Sequence, residues 1–266
     1  MARRVPEGPP PSPTVQRVRV KYTKSGRLRF TSHRDFARAL ERALRRAEVP
    51  IAFSAGFSPH PKISYVGAAP TGVVSHAEYL ELGLARPVEL ETLRARLDDA
   101  LPDGLDVVEV VTAGPGSLAE RIEASAWRIE LAPTPGITGA VAAFVANSTV
   151  LVDRLTKDGR REIDARAAVV SLRVTGTTAT PTAGAPVDSG PAGIGRSGAG
   201  AGERAILELV VRQATPSVRP DDVLAALASL GALMPAEPPR ASRLAQGPLE
   251  PDATVGDPLA ADRAPL

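Results

Sequence analysis

The stretch RFTSHRDFARALERALRRAEVP, residues 29–50, carries the pattern of the helix on which the fold of the first half depends. Apolar residues at positions 36, 39, 40, 43, 44 and 47 form one stripe with the 3.6-residue period of an amphipathic helix, and Pro50 ends it. Ser32 supplies an N-cap, and Asp35 stands three residues later, as in a capping box. The pattern predicts a helix from about Ser32 that packs its stripe on a core.

Strands flank this helix on both sides. Val18, Val20 and Tyr22 alternate with basic residues, as a half-buried strand requires, and a second alternating piece covers 27–30. After the helix, the patterns predict strands at 62–66, 76–84 and 105–111 and a helix at 89–101. The order β-α-β-β-α-β over about 95 residues is typical of a split βαβ, or ferredoxin-like, unit.

The second half repeats this theme less regularly. Strands are predicted at 126–131, 149–156, 167–174 and 204–213, helices at 138–146 and 221–230, and a turn at 157–160. Residues 176–203 are almost wholly Gly, Ala, Pro, Ser and Thr, which bury too little apolar surface to become ordered. We therefore expect an α+β protein of two ferredoxin-like units side by side, the second irregular and carrying a disordered insertion.

The expected domain limits follow from these patterns. They are a disordered N-terminus at 1–15, a basic ferredoxin-like domain at 16–115, a second α+β domain at 121–231 with the flexible insertion 176–203, and a disordered Pro/Ala-rich tail at 232–266.

Composition excludes several classes of chemistry. The chain has no cysteine, so it cannot form disulfides, use a thiolate nucleophile or hold a Cys-ligated iron–sulfur cluster. Three histidines, at 33, 60 and 76, are too few to indicate a metal site, and we expect no cofactor. There is no apolar run of about 18 residues and no apolar signal segment near Met1, so we expect a cytoplasmic protein without a membrane partner.

Positive charge is concentrated in one segment. Residues 17–62 contain twelve Lys or Arg against three acids, a net charge of +9, whereas the residues after 62 are acidic overall. Five arginines, which we call the arginine ridge, fall within about 120° on the side of the helix opposite its apolar stripe. They are Arg34, Arg38, Arg42, Arg45 and Arg46. Arginine binds phosphate in bidentate fashion, so the ridge indicates a polyanionic partner or, alternatively, a solvated helix face.

Two details qualify this interpretation. Glu41 and Glu48 border the ridge and can pair with Arg45 or Arg38, which would compensate part of its charge. In a split βαβ unit both helices cover one sheet face, so the first strand's basic residues should line the open face and the ridge the back. The open face would then meet bases, while the ridge would contact the RNA backbone or dock a protein.

The histidines carry the remaining candidate chemistry. His33 follows the helix cap, where it can act in local packing or contact an anion. Topology places His76 near it, so His33 and His76 are the weak candidates for a general base and acid. His60 stands between two prolines on a loop with Phe57, which can present its ring to a ligand or merely shape a turn.

Residues 27–81 also carry four linked motifs. These are R-F-x-S-H-x-D from Arg29, R-A-x-R-R-A from Arg42, G-F-x-P-H-P from Gly56 and G-x-x-S-x-x-E-Y from Gly72. With them the chain resembles the bacterial radical-SAM-linked protein family, a domain of unknown function. The resemblance is strong over about residues 15–115 and weaker afterwards, where GRREID at 159–164 looks like a further family element.

The resemblance implies an accessory role. Members of that family occur fused behind a B12-binding radical-SAM enzyme or as separate proteins encoded near a ribonuclease E/G-type gene. We therefore expect an RNA-binding accessory protein that works with a separate radical-SAM or RNA-processing enzyme on tRNA or rRNA. The alternatives are a protein-docking module for a radical-SAM partner and a metal-independent RNA-cleaving enzyme that uses His33 and His76. The expected RNA contacts are Arg17, Arg19, Lys21, Arg27, Arg29, Arg34, Arg38, Arg42, Arg45, Phe57, His60, Lys62 and Tyr65.

Overall fold

A computed structural model of the chain describes residues 13–156, 159–178 and 204–263. The fold is mixed α+β, with a core made mostly of sheet and few helices. Its elements are β1 (Gln16–Lys24), α1 (His33–Arg46), β2 (Ile63–Val66), β3 (Val74–Leu84), α2 (Leu90–Ala100), β4 (Val107–Thr112), β5 (Ala124–Leu131), α3 (Ile137–Ala146), β6 (Leu151–Thr156), β7 (Gly159–Asp164), β8 (Val169–Thr178), β9 (Arg204–Arg212), α4 (Pro220–Ser229), β10 (Arg240–Gly247) and α5 (Ala260–Arg263).

The chain forms two compact units. Unit 1 combines Met1–Ala126 with Ser242–Leu266, and unit 2 is Trp127–Ala241. These bounds differ from the predicted domain limits of 16–115 and 121–231 chiefly because unit 1 also includes residues from the far end of the sequence. In the ranges that the structure describes, no helix has both the length and the apolarity needed to cross a membrane.

The sheet of unit 1 is built around β1. It pairs antiparallel with β3 on one side and with β4 on the other, so that Val20 lies opposite both Leu80 and Val110. On the far edge of β3, β2 is antiparallel, with Tyr65 opposite Leu80. The strand order is thus β4-β1-β3-β2, and β10 runs parallel to the start of β3.

Helix α1 begins where its sequence predicts. Ser32 is extended, and its Oγ accepts the N–H of Asp35 at 3.2 Å while its hydroxyl donates to the Asp35 carboxylate at 2.7 Å. The predicted apolar stripe is buried, and Leu40 packs in one cluster with Leu97 of α2 and the strand residue Val20. The second alternating piece is not a strand, because Gly26 takes φ +53° and residues 26–30 coil into a 3₁₀ turn.

We expect from the sequence that the opposite face of the sheet of unit 1 is open, but the structure shows that it is covered. Tyr79 and Val111 pack there against Leu118, Ile122 and the completely buried Leu259. The predicted disordered tail at 232–266 is also wrong over 232–263, which contain β10 and α5, while 264–266 lie outside the described residues. The segment is rich in Pro and Ala, but Leu259, Arg243 and Gln246 are buried.

Unit 2 contains a sheet with the order β5-β9-β8 and a separate hairpin of β6 and β7. In the hairpin Leu155 lies opposite Arg160. Of the predicted turn at 157–160, residues 159 and 160 belong to β7, while 157 and 158 lie outside the described residues. Asp222 accepts the N–H of Arg219 at 2.7 Å at the start of α4 and binds Arg154 of β6. Residues 1–12 of the predicted N-terminus and 179–203 of the predicted insertion lie outside the described residues.

Candidate functional site

The basic face of β1 is largely neutralised inside unit 1. Arg19 is completely buried, and its Nη1 donates to both carboxylate oxygens of Asp262 at 2.7 and 2.8 Å. Its Nε donates to Glu81 at 3.1 Å and its Nη2 to the carbonyl of Gly116 at 2.6 Å. Arg19 therefore cannot be an RNA contact in this structure, which corrects the prediction.

Asp262 holds this cluster together. It also accepts Nη1 of Arg121 and the N–H of Gly114, each at 2.9 Å. Burial alone would raise the pKa of the Asp262 carboxyl, but the hydrogen bonds from Arg19, Gly114 and Arg121 hold that pKa below its ordinary value. These contacts hold α5 against the sheet face that the sequence predicts to be open.

The other predicted contacts on β1 keep part of their exposure. The Arg17 side chain is half exposed, with Nη1 3.7 Å from a Glu81 oxygen. Lys21 is half-buried. The remaining charge of this face is therefore small beside that of α1.

The arginine ridge, in contrast, faces solvent. All five of its residues are exposed along α1. Arg38 lies 3.8 Å from Asp35, and Arg46 donates to the carbonyl of Ala100. Arg34, Arg42 and Arg45 form no hydrogen bond or ion pair with any residue in the described ranges. From Arg34 to Arg45 the ridge extends about 17 Å, at 1.5 Å per helical residue.

A pocket of about 240 Å³ lies beside the ridge, between the second half of α1 and the G-F-x-P-H-P loop. The loop is held by backbone hydrogen bonds from Ala52 to Gly83 and from Lys62 to Ala52, at 2.7 and 2.8 Å. Within the loop, the carbonyl of His60 accepts the N–H of Ser54 at 2.9 Å. The pocket is lined by Glu41, Leu44, Arg45, Val49, Ile51, Phe53, Pro59, His60 and Pro61. Two of the family motifs thus meet at one cavity.

Glu41 is the acidic member of this lining. The ion pair that we expected with Arg45 or Arg38 is absent, and Glu41 makes no hydrogen bond or ion pair within the part of the chain that the structure describes. From the sequence, Glu41 is predicted to be only a compensating charge, whereas the structure places it in a pocket. The signal that it offered was its place on the border between the ridge and the apolar stripe.

His33 lies at the other end of α1, in an aromatic cluster. Its ring packs edge-on against Tyr65, with centroids 4.9 Å apart, and Tyr65 packs against Phe36 at 5.9 Å. Phe36 in turn stacks on Tyr22 at 4.8 Å. Burial, followed by the nearby Glu41 carboxylate, raises the pKa of Tyr65 to about 12. Tyr65 is therefore a half-buried neutral phenol.

The arrangement of the sheet does not favour the proposed His33–His76 pair. Tyr65, the ring neighbour of His33, lies opposite Leu80 in β3. His76 comes four residues earlier in the same strand, about 13 Å along it at 3.3 Å per residue. A phosphate held at His33 would be poorly placed for proton transfer with His76.

The remaining predicted contacts lie at several separate places on unit 1. Arg27 is exposed, and the Arg29 guanidinium lies 4.4 Å from the centroid of the Phe30 ring. Lys62 is half-buried and donates to the Thr14 hydroxyl at 2.9 Å. Phe57, at the tip of the motif loop, is 94% exposed.

A second buried polar network explains the G-x-x-S-x-x-E-Y motif. Glu78 accepts the N–H of Ala69 at 3.1 Å and pairs with Arg243 of β10, while Arg243 Nε donates to Ser75 at 3.1 Å. Lys24 lies nearby, and burial lowers its pKa. Arg243 is far away in sequence, so the motif alone could not reveal it.

Among the described residues, no three His, Asp or Glu side chains are grouped as a metal site would require.

Comparison with known proteins gives the family of the chain. No curated protein is significantly similar to the chain. A family model does match it over residues 17–220, more than half its length. The chain belongs to the family described as an uncharacterized protein conserved in bacteria, DUF2344.

Proposed function

We propose that this protein is a cytoplasmic RNA-binding accessory protein that acts with a separate RNA-processing or radical-SAM enzyme in tRNA or rRNA metabolism. The observation that carries the proposal is the arginine ridge. Arg34, Arg42 and Arg45 are exposed on one helix face without an acidic partner in the described chain, while Arg19 is neutralised.

Guanidinium groups in this arrangement suit a phosphate backbone. Each presents a planar fork that binds phosphate in bidentate fashion, and successive groups follow one another along the ridge. Aromatic and histidine side chains flank the ridge at both ends, Tyr65 and His33 near its start and His60 near its end. Rings beside a cationic groove are typical of single-stranded RNA binding.

The strand order β4-β1-β3-β2, with α1 and α2 packed on one face, supports our interpretation of unit 1 as a ferredoxin-like unit. In this interpretation the RNA lies along α1 and the edge at β2. The face behind β1, which carries Asp262 and Leu259, is occupied by the chain itself.

The proposal is tested by titrating labelled single-stranded RNA with the protein at several salt concentrations. If three to five phosphates are contacted, affinity should fall about 20- to 100-fold between about 50 and 200 mM salt. Arg34→Glu combined with Arg42→Glu should weaken binding by at least about tenfold and flatten the salt dependence.

Arg173→Glu is the matched control, because Arg173 is an exposed arginine of unit 2 paired with Glu208. This control should bind RNA as the wild type does. The proposal would be contradicted by an RNA affinity that does not change with salt concentration. It would also be contradicted by an affinity that is unchanged in the Arg34→Glu/Arg42→Glu variant.

Phe57 favours a second candidate function, docking to a protein. A phenylalanine that is 94% exposed at the tip of a motif loop can act as an apolar anchor, with the ridge placed against an acidic surface. The partner would be a radical-SAM or ribonuclease E/G-type enzyme. Co-purification that survives nuclease treatment, but is lost in Phe57→Ala and in Arg38→Glu, supports docking over RNA binding.

A further inference from the structure

The pocket beside the arginine ridge has a composition that a simple helix face does not need. Its lining combines the apolar side chains of Leu44, Val49, Ile51 and Phe53 with the polar groups of Glu41, Arg45 and His60. A pocket with an apolar lining and a few convergent polar groups is the usual form of a small-ligand site. At about 240 Å³ it has room for one heteroaromatic ring system rather than for a large ligand.

Glu41 is the feature that selects the ligand. It places a carboxylate inside a segment of net charge +9, and that carboxylate has no hydrogen-bonding or ionic partner among the described residues. A carboxylate has two acceptor oxygens and, when ionised, no donor, so it fits a ligand with two adjacent N–H groups. Leaving such a group partly buried without a ligand costs stability, because part of its hydration is lost.

We propose that this pocket binds a single guanine base of the RNA, with Glu41 accepting hydrogen bonds from the base. This inference rests on the proposed RNA-binding function and names the base that the site recognises. Guanine presents N1–H and the N2 amino group side by side on its Watson–Crick edge. Adenine and cytosine each present one amino group beside an acceptor nitrogen, and uracil has one N–H between two carbonyls.

The other two polar groups fit this occupant. Arg45 lies one helical turn after Glu41, belongs to the ridge and can hold the phosphate of the same nucleotide. His60 and Phe53 come from the two ends of the motif loop, where their rings can face the base. The cationic ridge at the mouth of the pocket favours a ligand whose backbone is anionic, which is why we infer a base of RNA rather than an apolar peptide side chain.

The test uses short oligouridine strands that differ at one central position, which is guanine, inosine, adenine or uracil. Inosine keeps N1–H and lacks the amino group, so it isolates one of the two proposed hydrogen bonds. The wild-type protein should bind the guanine strand about ten- to a hundredfold more tightly than the adenine strand, with inosine between them.

Two carboxylate variants make the test specific. Glu41→Gln should abolish the preference for guanine while its affinity for the all-uridine strand is at least as high as that of the wild type. Glu48→Gln removes the same charge just beyond the end of α1, outside the pocket, and should keep the preference. Retained all-uridine binding shows that Glu41→Gln is folded.

Failure of this inference can be separated from failure of the proposed function. Equal affinity of the wild type for the guanine and adenine strands, with salt-sensitive binding to both, overturns the guanine pocket and leaves the ridge function standing. A guanine preference that persists in Glu41→Gln also overturns it. Absence of binding to every strand overturns both proposals.

Discussion

The charge cluster behind β1 gives a quantitative test of how unit 1 is held together. Replacing Asp262 by alanine removes the carboxylate that accepts two hydrogen bonds from Arg19 and one from Arg121. Both side chains of the Arg19–Asp262 pair are 0% exposed. The variant therefore leaves a guanidinium in the interior without its principal counter-charge.

Removing one member of a buried ion pair costs about 3–5 kcal/mol, because the other charge stays desolvated. Arg19 retains Glu81 at 3.1 Å and the Gly116 carbonyl at 2.6 Å, which places the expected loss near the lower end, about 3 kcal/mol. Urea denaturation followed by circular dichroism measures it. With a slope of about 2 kcal/mol per molar urea, the midpoint should fall by about 1.5 M. Asp103→Asn, an exposed control, should change stability by less than about 0.5 kcal/mol.

The pH dependence supplies a second measurement on the same cluster. The folded protein holds the pKa of Asp262 below its ordinary value, so the stabilising effect of the ionised carboxylate is complete above about pH 3.9 and is lost as pH falls through the folded pKa. The difference in unfolding free energy between the wild type and Asp262→Ala should therefore shrink on acidification below about pH 4. A loss below about 1 kcal/mol at neutral pH, or a difference that grows in acid, would refute the reasoning.

Two further predictions concern other buried groups. Burial raises the pKa of all three tyrosines, Tyr22 and Tyr79 most strongly and Tyr65 to about 12. Phenolate absorbance at pH 10 should therefore be nearly absent in the native protein and reach about half its full value in denaturant. A normal titration near pH 10 without denaturant would contradict this. Glu78→Gln should cost about 3 kcal/mol in urea denaturation, because it removes the buried carboxylate that pairs with the buried Arg243. The exposed control Glu120→Gln should be neutral, and equal stability of the two variants would contradict the prediction.

Most elements of unit 1 from β1 to β4 could be predicted from sequence because their signals are local. The cap at Ser32 and the stripe on α1 depend on neighbours within a turn, and the alternation in β1 correctly places Arg17 and Arg19 on one face. What covers that face could not be predicted. Asp262 lies 243 residues from Arg19 in sequence, in a segment whose average composition resembles a disordered tail. Ordering of such a segment depends on a few buried contacts, which averages conceal.

The candidate site shows the same limit. Helical geometry at 100° per residue placed Arg42 and Arg45 on one exposed ridge, as the structure has them. The pocket depends on residues 49–61 folding back beside α1, and this in turn depends on the pairing of Ile51 with Leu84. No periodicity in the sequence encodes that long-range pairing. The sequence therefore indicates His60 as a binding residue through the rigidity of its loop, but it gives no sign that Glu41 lies beside His60.

The family motifs divide into two groups once their partners in the chain are known. Ser32 caps α1, and Ser75 and Glu78 hold Arg243, so folding alone accounts for these polar side chains. Arg42 and Arg45 have no such partner in the described chain. Desolvating these side chains or holding them in one conformation would therefore not increase the stability of the fold.

We propose that these arginines bind a ligand, since they have no acidic partner in the described chain. The arginines of the ridge meet the loop motif at the pocket lined by Arg45, Glu41 and His60. Both proposals therefore concentrate on the surface between α1 and this loop. The β1 face, which the charge pattern first favoured, is accounted for by Asp262 and requires no external ligand.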